Sequence, residues 1–226
     1  FRPVSLIGRA AVPVMLMMDE CVGHMTEKVV IPPADQIEVQ PRRHTTKKPG
    51  EYLAFEPGDD LVPDMAHAGE GYKLYVTGLT HDKRGYPLMN AAQQKELVTR
   101  LFDKIRRAAD ELTIVEAEGL DDADVVVVSF GITSRVAQRA IQMAREKGLK
   151  VGKLRLICVW PFPEKLFRDL AGKVKSFVVP ELNMGQVVLE VERCAGGQAR
   201  TISVPHAGGS VHKPEDILAA IERGAA

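Results

Sequence analysis

The residues with the clearest capacity for chemistry stand close together in Asp19–His24, where carboxylates, a thiol and an imidazole fall within one short segment. The candidates are Glu20, Cys21 and His24. A carboxylate beside an imidazole is able to exchange protons with a substrate. The sequence shows no third group to complete a catalytic set, and a cysteine and a histidine three positions apart do not match a metal-ligand spacing. Two interpretations stay open: a direct catalytic role, and a structural loop that faces the active site of a partner.

A second polar cluster lies in Gly78–Pro87. His81 and Asp82 are able to pair, and Arg84 is able to hold a carboxylate through two parallel hydrogen bonds. These three residues are therefore candidates for binding a substrate. The alternative is a solvated turn, which the glycine and proline that follow them also favour.

The third candidate site is the loop Ser129–Arg135, which joins a predicted strand to a predicted helix. Thr133 or Ser134 is able to cap the helix, and free N–H groups at a helix N-terminus attract anions. Together with Gly131 and Arg135 they are candidates for an anion site. A plain capped turn is the alternative, because a single glycine matches neither the dinucleotide fingerprint nor the P-loop.

Composition narrows the class of partner. The 226 residues contain 30 basic and 30 acidic side chains, a formal net charge of zero, which argues against nucleic acid or a membrane surface as the main partner. Cys21, Cys158 and Cys194 form no C-x-x-C motif, so no local scaffold for zinc or an iron–sulfur cluster is present and no metal site is predicted. Free thiols fit a reducing cytoplasm, and Cys158 is predicted to be a buried core thiol.

Two segments before residue 91 differ in composition and periodicity. The apolar run Val12–Met18 predicts a strand buried on both faces. Residues 31–90 are rich in proline and glycine and show little periodicity. This pattern favours an extended connector that lies on a protein surface, with a disordered linker as the alternative.

The remainder of the chain is regular. From Ala91 a long amphipathic helix is predicted, with Leu97, Leu101 and Ile105 buried and the charged side chains, including Arg100 and Lys104, in solvent. Four strand–helix units follow, with strands predicted at 125–130, 154–160, 174–179 and 201–204. Alternating strands and helices predict an α/β fold with a doubly wound, mostly parallel sheet.

Four segments together resemble the alpha subunit of 2-oxoacid:ferredoxin oxidoreductases, most closely of the 2-oxoglutarate type. They are Asp19–Met25, Gly78–Pro87, Trp160–Pro163 and Val179–Gln186, and the resemblance runs in order over residues 11–226. It implies that the complete enzyme decarboxylates a 2-oxoacid on thiamine diphosphate. Electrons would pass through 4Fe-4S clusters to ferredoxin, and the acyl group would leave on coenzyme A.

The same resemblance implies three parts. Residues 1–48 would be a remnant of the pyrimidine-side thiamine diphosphate domain, 49–90 the connector, and 91–226 a domain similar to the transketolase C-terminal domain. A beta subunit would bind the diphosphate half of the cofactor with Mg and a 4Fe-4S cluster, and gamma and ferredoxin-like subunits are further partners. Coenzyme A would be the ligand of the anion site at Gly131.

One departure limits these expectations. The family's Tyr-Pro-Ile-Thr-Pro-like segment, its pyrimidine-binding glutamate and its substrate-binding arginine have no match here, and Phe1–Ala10 does not fit the pattern. The chain alone is therefore expected to bind no cofactor, to contain no catalytic residue of its own, and to serve assembly and access of substrate or coenzyme A. One alternative is a non-catalytic α/β interaction domain. Another is an independent nucleotide-binding protein, although the missing glycine fingerprint argues against it.

Overall fold

The structure is a computed structural model that describes residues 11–37 and 41–226. The lead-in Phe1–Ala10 lies outside the described residues. Within them the chain forms two compact units, one of residues 11–15 and 30–112 and the other of residues 16–29 and 113–226. Among the described helices, none has both the length and the apolar character needed to cross a membrane.

The first unit contains little regular structure before its long helix. Its described elements are a 3-10 turn (Ala34–Gln36), three isolated β-bridges, the helix α2 (Ala91–Arg107) and the short helix α3 (Ala109–Leu112). Turns and single bridges are what a proline- and glycine-rich sequence favours. Aromatic and backbone contacts hold the segment in place, such as the Tyr52 hydroxyl, which donates to the carbonyl of Asp64 at 2.8 Å.

Helix α2 begins where the sequence predicts. The Asn90 side chain accepts a hydrogen bond from the backbone N–H of Gln93 at 2.9 Å, which satisfies one of the free donors of the first turn. Three basic residues in the last turn, Lys104, Arg106 and Arg107, face the negative end of the helix dipole.

The predicted orientation of α2 is only partly confirmed. Of the side chains predicted to be buried, Leu97 and Ile105 are half-buried and Leu101 is exposed. Apolar side chains on this helix are exposed, with Val98 52%, Leu101 42% and Phe102 58% accessible. Arg100, predicted in solvent, is half-buried, and Lys104 is only 7% exposed. The periodicity of the sequence identified an apolar stripe correctly but gave no information about which stripe this unit covers.

Backbone carbonyls accept hydrogen bonds from Arg100 and Lys104, the two basic side chains of α2 that are partly or fully buried. The guanidinium of Arg100 donates to the carbonyl of Leu61 at 3.1 Å, and the ammonium of Lys104 donates to the carbonyl of Ala11 at 3.4 Å. Burial lowers the pKa of both side chains.

The second unit is built on one five-stranded sheet in the order β1-β3-β2-β4-β5. The strands are β1 (Val115–Glu118), β2 (Val125–Ser129), β3 (Val151–Leu156), β4 (Ser176–Glu181) and β5 (Arg200–Pro205). Strands β2 to β5 pair in parallel and β1 pairs antiparallel with β3. The run of valines in β2 is entirely buried, as a central strand covered on both faces requires.

Helices cover both faces of the sheet. The second unit contains α1 (Glu20–His24), α4 (Thr133–Glu146), α5 (Glu164–Ala171), α6 (Val187–Ala195) and α7 (Pro214–Ala225). Phe167 of α5 and Val191 of α6 belong to one core cluster, and Ile141 of α4 and Ile217 of α7 belong to the other. The predicted doubly wound, mostly parallel sheet is confirmed, and Cys158 is buried as predicted.

Three local predictions are wrong. Val12–Met18 is not a strand, and Met15, Leu16 and Met17 are each more than 80% exposed. A strand needs a neighbour to pair with, and the sequence pattern cannot show whether one is available. Strand β3 ends at Leu156, four residues before the predicted end at Trp160. The antiparallel strand β1, which alternates polar and apolar residues over only four positions, was not predicted.

The core of the second unit is expected to depend strongly on Phe177, a fully buried residue of β4 whose ring centroid lies 5.5 Å from that of Phe167. Phe177→Ala should lower the free energy of unfolding by about 3–5 kcal/mol, because the lost burial and the cavity both cost stability. Urea unfolding of the 226-residue chain, followed by circular dichroism, measures the change. Met184→Ala, at a side chain that is 78% exposed, is the control, and equal effects of both substitutions would contradict the assignment.

Candidate functional site

The first candidate segment is the short helix α1, which has no buried side chain. The imidazole of His24 lies 3.8 Å from the carboxylate of Glu20, and the two side chains are 79% and 89% exposed. Cys21 is half-buried. The structure therefore brings a carboxylate and an imidazole together on a solvent-facing helix turn, where they are free to contact a ligand or a partner.

Asp19 connects this helix to the sheet domain. Its backbone carbonyl accepts from the N–H groups of Val22 and Gly23 at 3.0 and 3.2 Å, which begins α1. Its side-chain carboxylate accepts from the N–H of Ile132 at 2.7 Å, at the N-terminus of α4. A carboxylate in this position is favoured by the free N–H groups and by the helix dipole. One residue thus caps two helices that are more than a hundred positions apart.

Gly131 makes this contact sterically feasible. Its φ is +57°, and a Cβ at this position would collide with the carboxylate of Asp19. The glycine therefore serves both the left-handed backbone conformation and the close approach of the side chain.

The predicted cap of α4 is corrected by this arrangement. Thr133 and Ser134 are buried residues of the first turn of α4, and the helix has no cap from its own N-cap side chain. Arg135 pairs instead with Glu27 at 3.0 Å, and both side chains are about half exposed. The N–H of Ile132, which an anion bound at Gly131–Arg135 would use, is already bonded to Asp19.

The second candidate cluster belongs to the first unit. His81 is only 4% exposed, its ring stacks on Phe55 with centroids 4.6 Å apart, and its Nε2 lies 2.8 Å from the hydroxyl of Thr77. The side chain of Asp82 accepts from the backbone N–H groups of Arg84 and of Tyr86, at 2.9 and 3.0 Å. His81 and Asp82 thus use their side chains to build a hairpin rather than to pair with each other.

The guanidinium of Arg84 belongs to an exposed residue of this hairpin. Arg84 is exposed, and the turn that presents it is fixed by Gly85, whose φ is +95°. The N–H of Gly85 donates to the carbonyl of Asp82 at 3.0 Å. A Cβ at Gly85 would lie 3.4 Å from the ring of Phe55, so the turn packs closely on the aromatic side chain below it.

A charged cleft in the first unit was not predicted from the sequence. It has a volume of about 720 Å³ and is lined by acidic and basic side chains. Arg43 pairs with Asp64 and with Asp60, the latter at 2.7 Å, and Lys47 pairs with Glu56 at 3.2 Å. The Arg43 guanidinium holds the pKa of Asp60 below its usual value. These ion pairs stabilise a local arrangement of the connector.

The carboxyl end of β4 carries a buried carboxylate that was not predicted either. Glu181 is 1% exposed. Its two oxygens accept from the N–H groups of Gln186, Val187 and Val188 at 2.9–3.2 Å, and from the side-chain amide of Asn183 at 3.1 Å. A buried carboxylate is stable when several donors surround it. Glu181 therefore caps α6 from the strand that precedes it.

Two histidines follow the last strand. The rings of His206 and His212 have centroids 5.0 Å apart, and His206 Nε2 lies 2.8 Å from the hydroxyl of Ser210. His212 is 3% exposed and donates through Nε2 to the carbonyl of Val204 at 2.8 Å. Burial lowers the pKa of His212.

The described residues contain no group of three histidine, cysteine or carboxylate side chains placed to hold a metal ion. Cys158 and Cys194 are buried, and burial raises the pKa of both thiols. The residues that the structure describes therefore do not fit a magnesium ion or an iron–sulfur cluster.

Glu181→Ala is expected to destabilise the second unit by about 3 kcal/mol, because two buried backbone donors, a part-buried one and a side-chain amide lose their acceptor. Equilibrium urea unfolding of the chain measures the loss. Glu192→Ala, at an exposed position of the same helix, should change the free energy of unfolding by less than about 0.5 kcal/mol. A loss no larger than that of the control would contradict the capping role.

The free energy of unfolding is also expected to decrease as the pH is lowered, because of His212. The pKa of the folded state lies below the reference value of 6.5, so below about pH 6.5 the unfolded chain binds a proton that the folded chain does not. The slope is at most about 1.4 kcal/mol per pH unit. Urea unfolding at pH 7.5 and 5.5 should show a smaller difference for His212→Gln than for the wild type. An unchanged slope in His212→Gln would contradict the assignment.

Comparison with family models finds two matches along the chain. Residues 5–100 match the model described as the thiamine diphosphate-binding domain of pyruvate flavodoxin/ferredoxin oxidoreductase. Residues 123–217 match the model described as core domain II of pyruvate:ferredoxin oxidoreductase.

Individual relatives agree with these models. The 2-oxoglutarate synthase subunit KorA of Methanothermobacter thermautotrophicus is 43% identical over 218 residues, which is 96% of this chain and 57% of that protein. KorA of Methanocaldococcus jannaschii is 44% identical over 93% of this chain and 56% of its own length. The chain thus spans somewhat more than half the length of the curated relatives it matches.

A solved structure is also similar. It is the 2-oxoglutarate:ferredoxin oxidoreductase from Magnetococcus marinus, with 2-oxoglutarate, coenzyme A and succinyl-CoA bound. The TM-score is 0.78 at 26% identity, over 86% of this chain and 34% of that chain. Sequence models, relatives and fold agree: the chain belongs to the 2-oxoacid:ferredoxin oxidoreductase family.

Proposed function

We propose that the chain is part of the alpha subunit of an enzyme that oxidatively decarboxylates a 2-oxoacid, with 2-oxoglutarate as the substrate, and passes the electrons to ferredoxin. The observation that carries the proposal is the 43% identity to a 2-oxoglutarate synthase subunit over 96% of this chain. Identity on that scale includes both units and all three candidate loops.

The cofactors of the complete enzyme divide between its chains. The match to a thiamine diphosphate-binding model supports thiamine diphosphate as the group that stabilises the carbanion left by decarboxylation. Because the described residues do not fit magnesium or a 4Fe-4S cluster, we assign both to the beta subunit. On this proposal the chain alone binds no cofactor, and electron transfer takes place in other chains.

The chain contributes groups that contact substrates. Arg84 is exposed at the tip of a rigid hairpin, where a guanidinium binds a carboxylate bidentately. His81 and Asp82 hold that hairpin in shape. Glu20 and His24 form an exposed pair suited to proton transfer, and Cys21 lies beside them. Coenzyme A at Gly131, Thr133, Ser134 and Arg135 requires that Asp19 first leave the N–H of Ile132.

The chain also has a surface suited to assembly. Helix α2 exposes Val98, Leu101 and Phe102, and exposed apolar side chains grouped on one helix mark a protein interface. We infer that a partner covers this face in the complete enzyme. The beta subunit is the first candidate, and gamma and ferredoxin-like subunits complete the complex. A purely structural α/β domain would share this surface but would not need the exposed Arg84.

The complete enzyme that contains this chain is expected to reduce ferredoxin with 2-oxoglutarate and coenzyme A, and the 226-residue chain alone is expected to be inactive. Arg84→Gln should raise KM for 2-oxoglutarate about tenfold with kcat nearly unchanged, because a bidentate carboxylate contact is lost. Initial rates of ferredoxin reduction measure both constants.

Arg107→Gln is the matched control, since Arg107 is an exposed arginine at the end of α2. It should leave KM unchanged. Oxidation of pyruvate or a branched 2-oxoacid but not of 2-oxoglutarate would contradict the proposed substrate, and oxidation of none of the three would contradict the proposed reaction. If the wild-type enzyme oxidises 2-oxoglutarate and Arg84→Gln leaves KM unchanged, only the proposed contact between Arg84 and the substrate is contradicted.

A further inference from the structure

The second unit has a topological switch point between β2 and β4. The chain leaves β2 through α4 towards β3, and leaves β4 through α6 towards β5, so the two connections diverge from neighbouring parallel strands. In open α/β sheets the crevice at the carboxyl ends of such strands is the usual place for a ligand.

Carboxylates of the chain itself occupy both sides of this crevice. Asp19 accepts from the N–H of Ile132 at the start of α4, and Glu181 accepts from N–H groups at the start of α6. The two helix N-termini, which in other proteins of this topology bind an anionic ligand, are thus capped from within the chain.

The two carboxylates differ in the segment of the chain from which they come. Glu181 comes from the adjacent strand and is buried. Asp19 comes from a separate segment and brings α1 with it, because Asp19 is also the residue whose carbonyl begins that helix. No side chain of α1 is fully buried, and only Cys21 and Val22 are half-buried. The carboxylate of Asp19 makes the hydrogen bond that ties α1 to the start of α4.

A second contact adds little. Glu27 pairs with Arg135 at 3.0 Å, but both side chains are more than half exposed. Exposed ion pairs contribute weakly and are screened by salt. Of the two polar contacts, the Asp19 hydrogen bond is therefore the stronger link between α1 and the sheet domain, and the half-buried Cys21 and Val22 add partial packing.

We propose that Asp19 is a positioning residue: its carboxylate, seated on the N-terminus of α4 beside Gly131, fixes α1 at the switch point and so orients Glu20 and His24 for the reaction. This inference rests on the proposed function for its final step. The seating of α1 itself is independent of it and is measured separately.

The substitution Asp19→Ala separates the two roles of the residue. It removes the carboxylate that reaches α4 but keeps the backbone carbonyl that begins α1. Asp19→Asn keeps an oxygen acceptor for the N–H of Ile132 and is the conservative rescue. Gly131→Ala acts from the other side, because a Cβ there would collide with the carboxylate.

Hydrogen–deuterium exchange of the complete enzyme tests the seating. Peptides that contain residues 19–25 and 130–135 should exchange about tenfold faster in Asp19→Ala and Gly131→Ala, since a hydrogen-bonded amide is protected until the contact opens. Asp19→Asn should lie between these variants and the wild type, and Glu27→Gln should change exchange less than about twofold. Unchanged exchange in both Asp19→Ala and Gly131→Ala overturns the inference, whatever the enzymatic activity.

A double-mutant cycle tests the positioning. Asp19→Ala should lower kcat about tenfold, leave KM for ferredoxin unchanged and be partly rescued by Asp19→Asn. In a His24→Gln background it should cause little further loss, because residues that act through one another are not additive. Independent, additive effects would mean that Asp19 is only structural and would overturn the positioning role.

The two readouts distinguish the possible failures. If the wild-type complex oxidises no 2-oxoacid, the proposed function fails while exchange still decides whether Asp19 seats α1. Asp35→Ala, at an exposed carboxylate of the 3-10 turn in the other unit, is the control for loss of a negative charge and should alter neither exchange nor kcat.

Discussion

The hydrogen bond from the N–H of Ile132 to the carboxylate of Asp19 is the contact on which the described candidate site depends. It joins a short segment with no fully buried side chain to the start of α4, directly after the central strand β2. A charge-assisted bond at a helix N-terminus is among the stronger single contacts available to a surface segment. Gly131 shows how closely the backbone has to follow the carboxylate, since any side chain there would exclude it.

The same principle operates at Glu181. Open α/β sheets offer helix N-termini to ligands at the carboxyl ends of their strands. Here Asp19 and Glu181 cap two of those N-termini, so the sheet domain uses its usual ligand crevice for internal contacts. The crevice of the sheet domain is thus filled by side chains of the chain itself, and α1 begins beside it at Asp19. On the proposed function, the groups offered to substrates are exposed side chains such as His24 and Arg84.

Much of the fold could be predicted from the sequence because it follows from local periodicity. The valine run of β2, the helix from Ala91 and the doubly wound alternation were predicted correctly. The burial of Lys104 and the exposure of Phe102 could not be predicted, because periodicity finds an apolar stripe without showing what covers it. The strand predicted at Val12–Met18 failed for a related reason, since pairing depends on a neighbour.

The candidate site was only partly predictable for a different reason. His81, Asp82, Glu20 and His24 were identified from residue type, but Asp19 caps a helix 113 positions away, and no local signal links the two. Glu181 caps a helix that begins six residues further on. A search of the sequence for acidic residues shortly before a helix could have found it.

The most direct measurement is a through-hydrogen-bond scalar coupling in the nuclear magnetic resonance spectrum of the labelled chain, between the amide nitrogen of Ile132 and the side-chain carboxyl carbon of Asp19. The account predicts a resolved coupling, together with slow exchange of the Ile132 amide proton. An Ile132 amide with no coupling to Asp19, exchanging as fast as a free amide in the first turn of a helix, would contradict it.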